Sequence, residues 1–184
     1  MDIASGTLEE KLNYDDMTNF TIIHSGNKQD LIKNCSHDSR IAFSLSYTRD
    51  IFLRFINNEI ELISFNHMGV YGKTEKIRLT YMEWAVFMTH LSHTAGNFER
   101  IMAGEKIPKI MVKLGGYDSD LFLSYQTPYK CIQFRNWITP PGSGFNGQAK
   151  LLPCNGISLR YGEWKLLLNN IATVETLLAI YHDQ

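Results

Sequence analysis

Short runs of alternating apolar and polar residues fill the chain from residue 40 to 79 and again from 109 to 159. In RIAFSLSY (40–47), Ile41, Phe43, Leu45 and Tyr47 share one side, and in KIMVKLG (109–115) Ile110, Val112 and Leu114 do the same. IFLRF (51–55) and LFLSY (121–125) come next, then IELISFNHM (60–68) and KCIQFRNWI (130–138), then KIRL (76–79) and GISL (156–159). Alternation with a period of two over runs this short predicts strands with one buried face. Asn57-Asn58 and Gly115-Gly116 supply turn residues between them. The period then changes: Trp84, Phe87, Met88 and Leu91 fall at i, i+3, i+4 and i+7, as do Trp164, Leu167, Leu168 and Ile171. Each set is one face of a helix, predicted to run for about twenty residues, through Phe98, Ile101 and Met102 in the first and Leu178 and Tyr181 in the second. Thr80 and Glu83 form a T-x-x-E capping box; Arg160 stands in place of the cap in the second helix, whose start is weaker. Gly104 is the expected stop for the first helix.

The two halves repeat one another. Ile77, Leu79, Tyr81, Glu83 and Trp84 recur as Ile157, Leu159, Tyr161, Glu163 and Trp164, five identities at a constant offset of 80. The expected fold class is therefore α+β, with two tandem β-β-β-β-α units whose antiparallel sheets pack with helices between them as an intramolecular pseudo-dimer. The expected division is an acidic leader at 1–38, a first unit at 39–104 and a second at 105–184. The copies differ mainly between strands three and four. GVYGKTE joins them in the first, and the longer, Gly- and Pro-rich TPPGSGFNGQAKLLPCN (139–155) in the second, an exposed loop of the kind that often carries function. Its glycines are not followed by G-K-[ST], so it is not a Walker loop. Within the leader, TNFTIIHSG reads as a short strand and NKQDLIKNC as a short helix.

Composition agrees with a folded core, at 44% hydrophobic and 20% charged residues. There is no apolar run long enough for a transmembrane helix, so no membrane partner is expected, and the acidic, polar N-terminus is not a signal peptide. Cys35, Cys131 and Cys154 form no CxxC pair, and an odd, sparse count predicts free thiols in an intracellular reducing compartment, nuclear or cytoplasmic. The net charge of −1 hides an asymmetry: residues 1–38 hold seven acids and three bases, and the remainder twelve acids and fifteen bases.

With the apolar parity of each strand set against a helix, the opposite parity forms an open face. It carries Arg40, Ser44, Phe52, Arg54, Ser64, Asn66, Lys76 and Arg78 in the first copy, and Lys109, Lys113, Phe122, Ser124, Gln133, Arg135, Trp137, Ser158 and Arg160 in the second. Eight bases with three interleaved aromatic rings fit single-stranded nucleic acid, in which cations meet phosphates and bases stack on rings. The competing reading places those rings beneath the leader or in an interface. His90 and His93 lie three apart on one helix but lack a third ligand, Asp118 and Asp120 read as turn residues, and no nucleophile–base arrangement is present. No enzyme activity, metal or other cofactor is expected.

Four strands followed by G-I-S-L-x-x-x-x-W opening a helix resembles the C-terminal domain of the transcriptional coactivator positive cofactor four. IQFRNW (132–137) and GISLRYGEWKLLLNNI carry the likeness, which spans roughly residues 108–175 and, more loosely, 40–95. The resemblance implies a dimer of β-β-β-β-α units, helices at its centre, holding single-stranded DNA on curved sheets. Here two units in one chain would make the dimer covalently. The family's strand-three arginine and neighbouring aromatic fall on Arg135 and Trp137, with Asn66 and Met68 at the matching places of the first copy. The basic residue before its fourth strand falls on Lys76, with Asn155 opposite it in the second copy. The expectation is a single-stranded DNA-binding protein acting without catalysis in replication, transcription or repair. RNA on the same sheet is the alternative ligand. A structural or interaction protein with its open sheet covered by the leader is the alternative class. Homo-oligomerisation through the leader is also left open.

Overall fold

Every connection between a last strand and the helix after it is tight, and this decides where the helices go. A computed structural model describes residues 17, 19–24, 32–36, 38–66, 73–116, 119–138 and 151–183. The acidic stretch 1–16, Met68 with most of the GVYGKTE link, Asp118 and most of the loop after residue 138 lie outside them. The described elements are β1 (Thr21–Ile23), β2 (Ile41–Ser44), β3 (Asp50–Ile56), β4 (Glu59–Asn66), β5 (Lys73–Leu79), α1 (Tyr81–Met102), β6 (Ile110–Lys113), β7 (Leu121–Tyr125), β8 (Cys131–Ile138), β9 (Leu152–Arg160) and α2 (Tyr161–His182). The fold is mixed α+β, with a five-stranded sheet ordered β1-β2-β3-β4-β5 and a four-stranded sheet ordered β6-β7-β8-β9. β1, the strand expected within the leader, pairs parallel to β2, with Ile22 beside Ala42. Of the helix expected after it, only Ile32 and Lys33 are described as helical. β9 begins at Leu152, so the end of the expected loop is strand, with Leu152 opposite Ile138 and Pro153 opposite Trp137.

Local chemistry fixes the boundaries. Asn57 and Asn58 have φ of 51° and 63° and form the two-residue turn between β3 and β4. Left-handed pairs match the twist of a hairpin, and asparagine tolerates them. The capping box at α1 is complete: Glu83 N donates to Thr80 Oγ1 at 3.2 Å and Thr80 N to Glu83 Oε1 at 2.9 Å. At the other end Gly104 takes φ +90°, its N–H bonds Ile101 O at 3.0 Å, and Glu105 N bonds Arg100 O at 3.0 Å. This is a Schellman stop. α2 keeps half of the box, with Arg160 N donating to Glu163 Oε1 at 2.8 Å.

The chain forms two compact units, one of Met1–Glu75 with Lys165–Gln184 and one of Lys76–Trp164. The helices are thus exchanged: α1, which follows the strands of the first sheet, belongs with the second sheet, and most of α2 belongs with the first. The reason is connection length. Only Thr80 separates β5 from α1, and nothing separates β9 from α2. A helix folding back over its own sheet needs a loop of some residues.

In the first unit Tyr181, near the end of α2, packs its ring 5.1 Å from Phe55 of β3. Its hydroxyl donates to Ser39 O at 2.8 Å, and His182 Nε2 bonds Asn58 O at 3.2 Å. Burial, with Cys35 beside it, pushes the Tyr181 phenol above its ordinary value. In the second unit Phe87 of α1 lies 5.3 Å from Phe134 of β8 and 6.2 Å from Trp164, and Phe98 lies 6.3 Å from Trp164. Two polar ties join α1 to β7 and to the turn between β6 and β7: Asn97 Nδ2 donates to Tyr125 Oη at 3.1 Å, and Ser119 Oγ to Glu83 Oε2 at 2.6 Å.

Two predictions follow from this packing. Cutting the chain at Gly104 gives two fragments, each with a sheet but without the helix that groups with it. Each alone should self-associate on size-exclusion chromatography, and mixing should restore one cooperative melt; a stable, monomeric 105–184 fragment would contradict the exchange. For Tyr181, the raised phenol means that its contribution is fully present below about pH 10, where the unfolded chain also keeps the proton. It is lost as pH rises further. Urea titrations at stepped alkaline pH should show a shallower decline for Tyr181→Phe than for the wild type.

Candidate nucleic-acid interface

The two sheets present their remaining faces differently. On the first, Ala42, Arg54 and Glu61 stand opposite one another across β2, β3 and β4, as do Ser44, Phe52 and Ile63. This face is closed. Met17, Ala42, Ile63 and Phe65 form a buried cluster, with Phe20, Ile22 and Phe52 packed against it. Arg54, expected in the open, is 4% exposed. Its Nε and Nη2 reach Glu61 Oε1 at 2.9 and 2.6 Å, its Nη1 lies 3.3 Å from Met17 Sδ, and its guanidinium sits 5.2 Å from the centre of the Phe20 ring. Phe52, also expected in the open, is half-buried with its ring 6.2 Å from Phe65. Ser64 lies opposite the buried Ile51 and so on the helix-facing side. The cause is legible in β4, where Leu62 points to one face and Ile63 and Phe65 to the other, so both faces are apolar. Arg40 before β2, and Lys76 and Arg78 on β5, are exposed as expected.

On the second sheet the cross-strand register brings the expected residues together. Lys113 of β6 is opposite Phe122 of β7, Phe122 is opposite Arg135 of β8, and Arg135 is opposite Gly156 of β9. The adjoining row is Met111, Ser124, Gln133 and Ser158, and Cys131 and Arg160 pair beyond it. Directly opposed residues share a face. The helix-facing side is the complementary row of Val112, Leu123, Phe134 and Ile157. One half-buried ring, Phe122, is thus flanked by a cation on each neighbouring strand.

Two of these side chains are held in place. Arg135 lies flat over Gly156: a Cβ there would stand 2.6 Å from Arg135 Cζ and 2.8 Å from its Nε. Its Nη1 donates to Cys154 O at 2.8 Å. The sequence reading missed Gly156, although a glycine inside a strand signals close approach of another group. Trp137 follows a register shift between Arg135 and Trp137, and Lys109 Nζ lies 4.9 Å from the centre of its ring. Its indole N–H is buried with no acceptor among the described residues. Lys109, Lys113 and Arg160 are exposed. The three cysteines are free thiols. His93 Nε2 lies 3.1 Å from Asn97 Nδ2, and no group of three or more metal-ligating side chains occurs among the described residues.

Two arginines, one on each sheet, should therefore respond in opposite ways. Arg54→Ala strands a buried Glu61 and should cost about 3 kcal/mol or more of stability, read by urea denaturation. Arg135→Ala should leave the melt close to wild type. Gly156→Ala should displace Arg135 without unfolding the sheet, visible as a changed tryptophan environment or chemical shifts confined to β8 and β9. Comparison with protein families, with curated proteins and with solved structures finds no match to this chain.

Proposed function

We propose that the chain binds single-stranded nucleic acid, DNA in the first instance, on the open face of the second sheet and without catalysis. The observation that carries the reading is the row Lys113–Phe122–Arg135 in register across three strands, its guanidinium seated on Gly156. Cations three strands wide suit a phosphate backbone, and a ring between them suits a stacked base. Lys109 and Trp137 extend the same surface. In this reading the chain is a tandem of two β-β-β-β-α units resembling the positive cofactor four domain, paired within one molecule through exchanged helices. Replication, transcription or repair is the setting it suits.

The closed first sheet supports a second role for that half. With Arg54 paired to Glu61 and the face beneath Met17, Phe20 and Ile22, it acts as a structural half that binds no strand. This is the covered-sheet alternative, applied to one half only. The exposed Arg40, Lys76 and Arg78 then add general attraction and no stacking surface.

The deciding experiment is an anisotropy titration with single-stranded DNA, RNA and duplex of equal length. Single strands should bind more tightly than duplex, with log affinity falling by about 0.7 per neutralised phosphate per unit of log salt. Phe122→Ala should cost about 1–3 kcal/mol of binding, and Lys113→Ala and Arg135→Ala should weaken binding and flatten the salt dependence. Phe52→Ala should not change affinity. Equal affinity for duplex and single strand at every salt concentration would sink the stacking model, and tighter binding of RNA would move the ligand to the RNA class.

A further inference from the structure

Beside the row just described, the same face holds a recess of about 130 Å³, lined by Lys109, Ser124, Gln126, Tyr129, Gln133 and Trp137 among others. Its floor is polar and poorly satisfied from within the protein. The Trp137 indole N–H is buried with no acceptor among the described residues, and Ser124 beside it is only 5% exposed. Gln133, directly opposite on β8, makes one long contact of 4.0 Å to Cys131 Sγ. Lys109 has its ammonium over the Trp137 ring and no carboxylate partner among the described residues. A buried donor without an acceptor is destabilising, and its persistence points to something that binds there. The volume is well below that of a drug-sized site. It suits one flat base.

We infer that this recess takes one unstacked base of the bound strand and prefers a keto base, thymine or guanine, to cytosine or adenine. The inference rests on the single-strand reading above. Trp137 and Tyr129 supply flat aromatic walls. The Ser124 hydroxyl and the Gln133 amide each donate or accept, so they meet any base edge, but the Lys109 ammonium can only donate. Thymine O4 and guanine O6 are acceptors, whereas cytosine N4 and adenine N6 present N–H donors at the corresponding place. A donor facing a donor leaves both unpaired, and the wrong base is rejected. In a single strand these edges are free of pairing and open to such reading.

The test uses the full chain and labelled oligo(dT) and oligo(dC) of equal length at one salt concentration. The two are pyrimidines of similar size, so stacking alone separates them little. Oligo(dT) should bind about tenfold more tightly. Lys109→Met, which keeps an apolar stem and removes the ammonium, should bring the ratio close to one. Ser124→Ala is the second variant; its hydroxyl meets either base, so it should weaken both oligonucleotides and leave the ratio unchanged. Lys113→Ala, outside the recess, should weaken both oligonucleotides equally and leave the ratio unchanged. Equal affinities for the wild type overturn the base preference while leaving strand binding intact. A preference that survives Lys109→Met also overturns it, because the reader then lies elsewhere. Failure to bind either oligonucleotide removes the single-strand reading itself.

Discussion

A sheet has two faces, and an amphipathic helix has one apolar stripe. The rest of this structure depends on how that mismatch is met when the helix starts without a loop. Thr80 alone joins β5 to α1, and β9 runs directly into α2. Neither helix can turn back over the strands before it, so each covers the other sheet, with Phe87 against Phe134 in one unit and Tyr181 against Phe55 in the other. The capping box at Thr80 and Glu83 serves this arrangement twice. Glu83 Oε1 holds the helix start, and Oε2 takes the Ser119 hydroxyl next to the second sheet.

What remains is one further face per sheet, and the two have opposite fates. On the first, Arg54 is enclosed with Glu61, Met17 and Phe20, and its charge is neutralised where water is excluded. On the second, Arg135 rests on a bare backbone with the Cys154 carbonyl to hold it. The same residue type is buried in an ion pair on one sheet and held against backbone on the other. Geometry separates these roles, since both arginines sit on strands of alternating pattern with an aromatic neighbour.

Much of this was legible in the sequence, for definite reasons. The strands, both helices, the Asn57-Asn58 turn, the Thr80 cap and the Gly104 stop are local, and local patterns report them. The face of the second sheet was also legible, because β6, β7 and β8 alternate cleanly and fix which side Lys113, Phe122 and Arg135 occupy. The exchange of helices was not, since period and propensity say which stripe is buried and nothing about which sheet receives it. The first face was misread for a related reason. In β4 the run Leu62-Ile63-Ser64-Phe65 is apolar on both sides, and a fully buried strand has no parity to follow. Arg54 and Phe52 then look exposed until Met17, Phe20 and Ile22 are placed over them. Gly156 was read only as the head of the GISL strand, though it is the seat of Arg135.

The helix exchange also bears on how the chain is made. β2, β3 and β4 are complete by Asn66, but the helix that groups with them begins at Tyr161 and reaches its anchoring Tyr181 only at the end. At about 5–20 residues per second, the nascent first sheet waits several seconds or longer on the ribosome with an apolar face uncovered. Contacts so distant in sequence form slowly. Met17, Phe20 and Ile22 emerge before that sheet, so its other face can be sealed as it forms. Met17, Phe20 and Ile22 thus reduce the apolar surface that the growing chain shows to chaperones and to its neighbours on the same messenger.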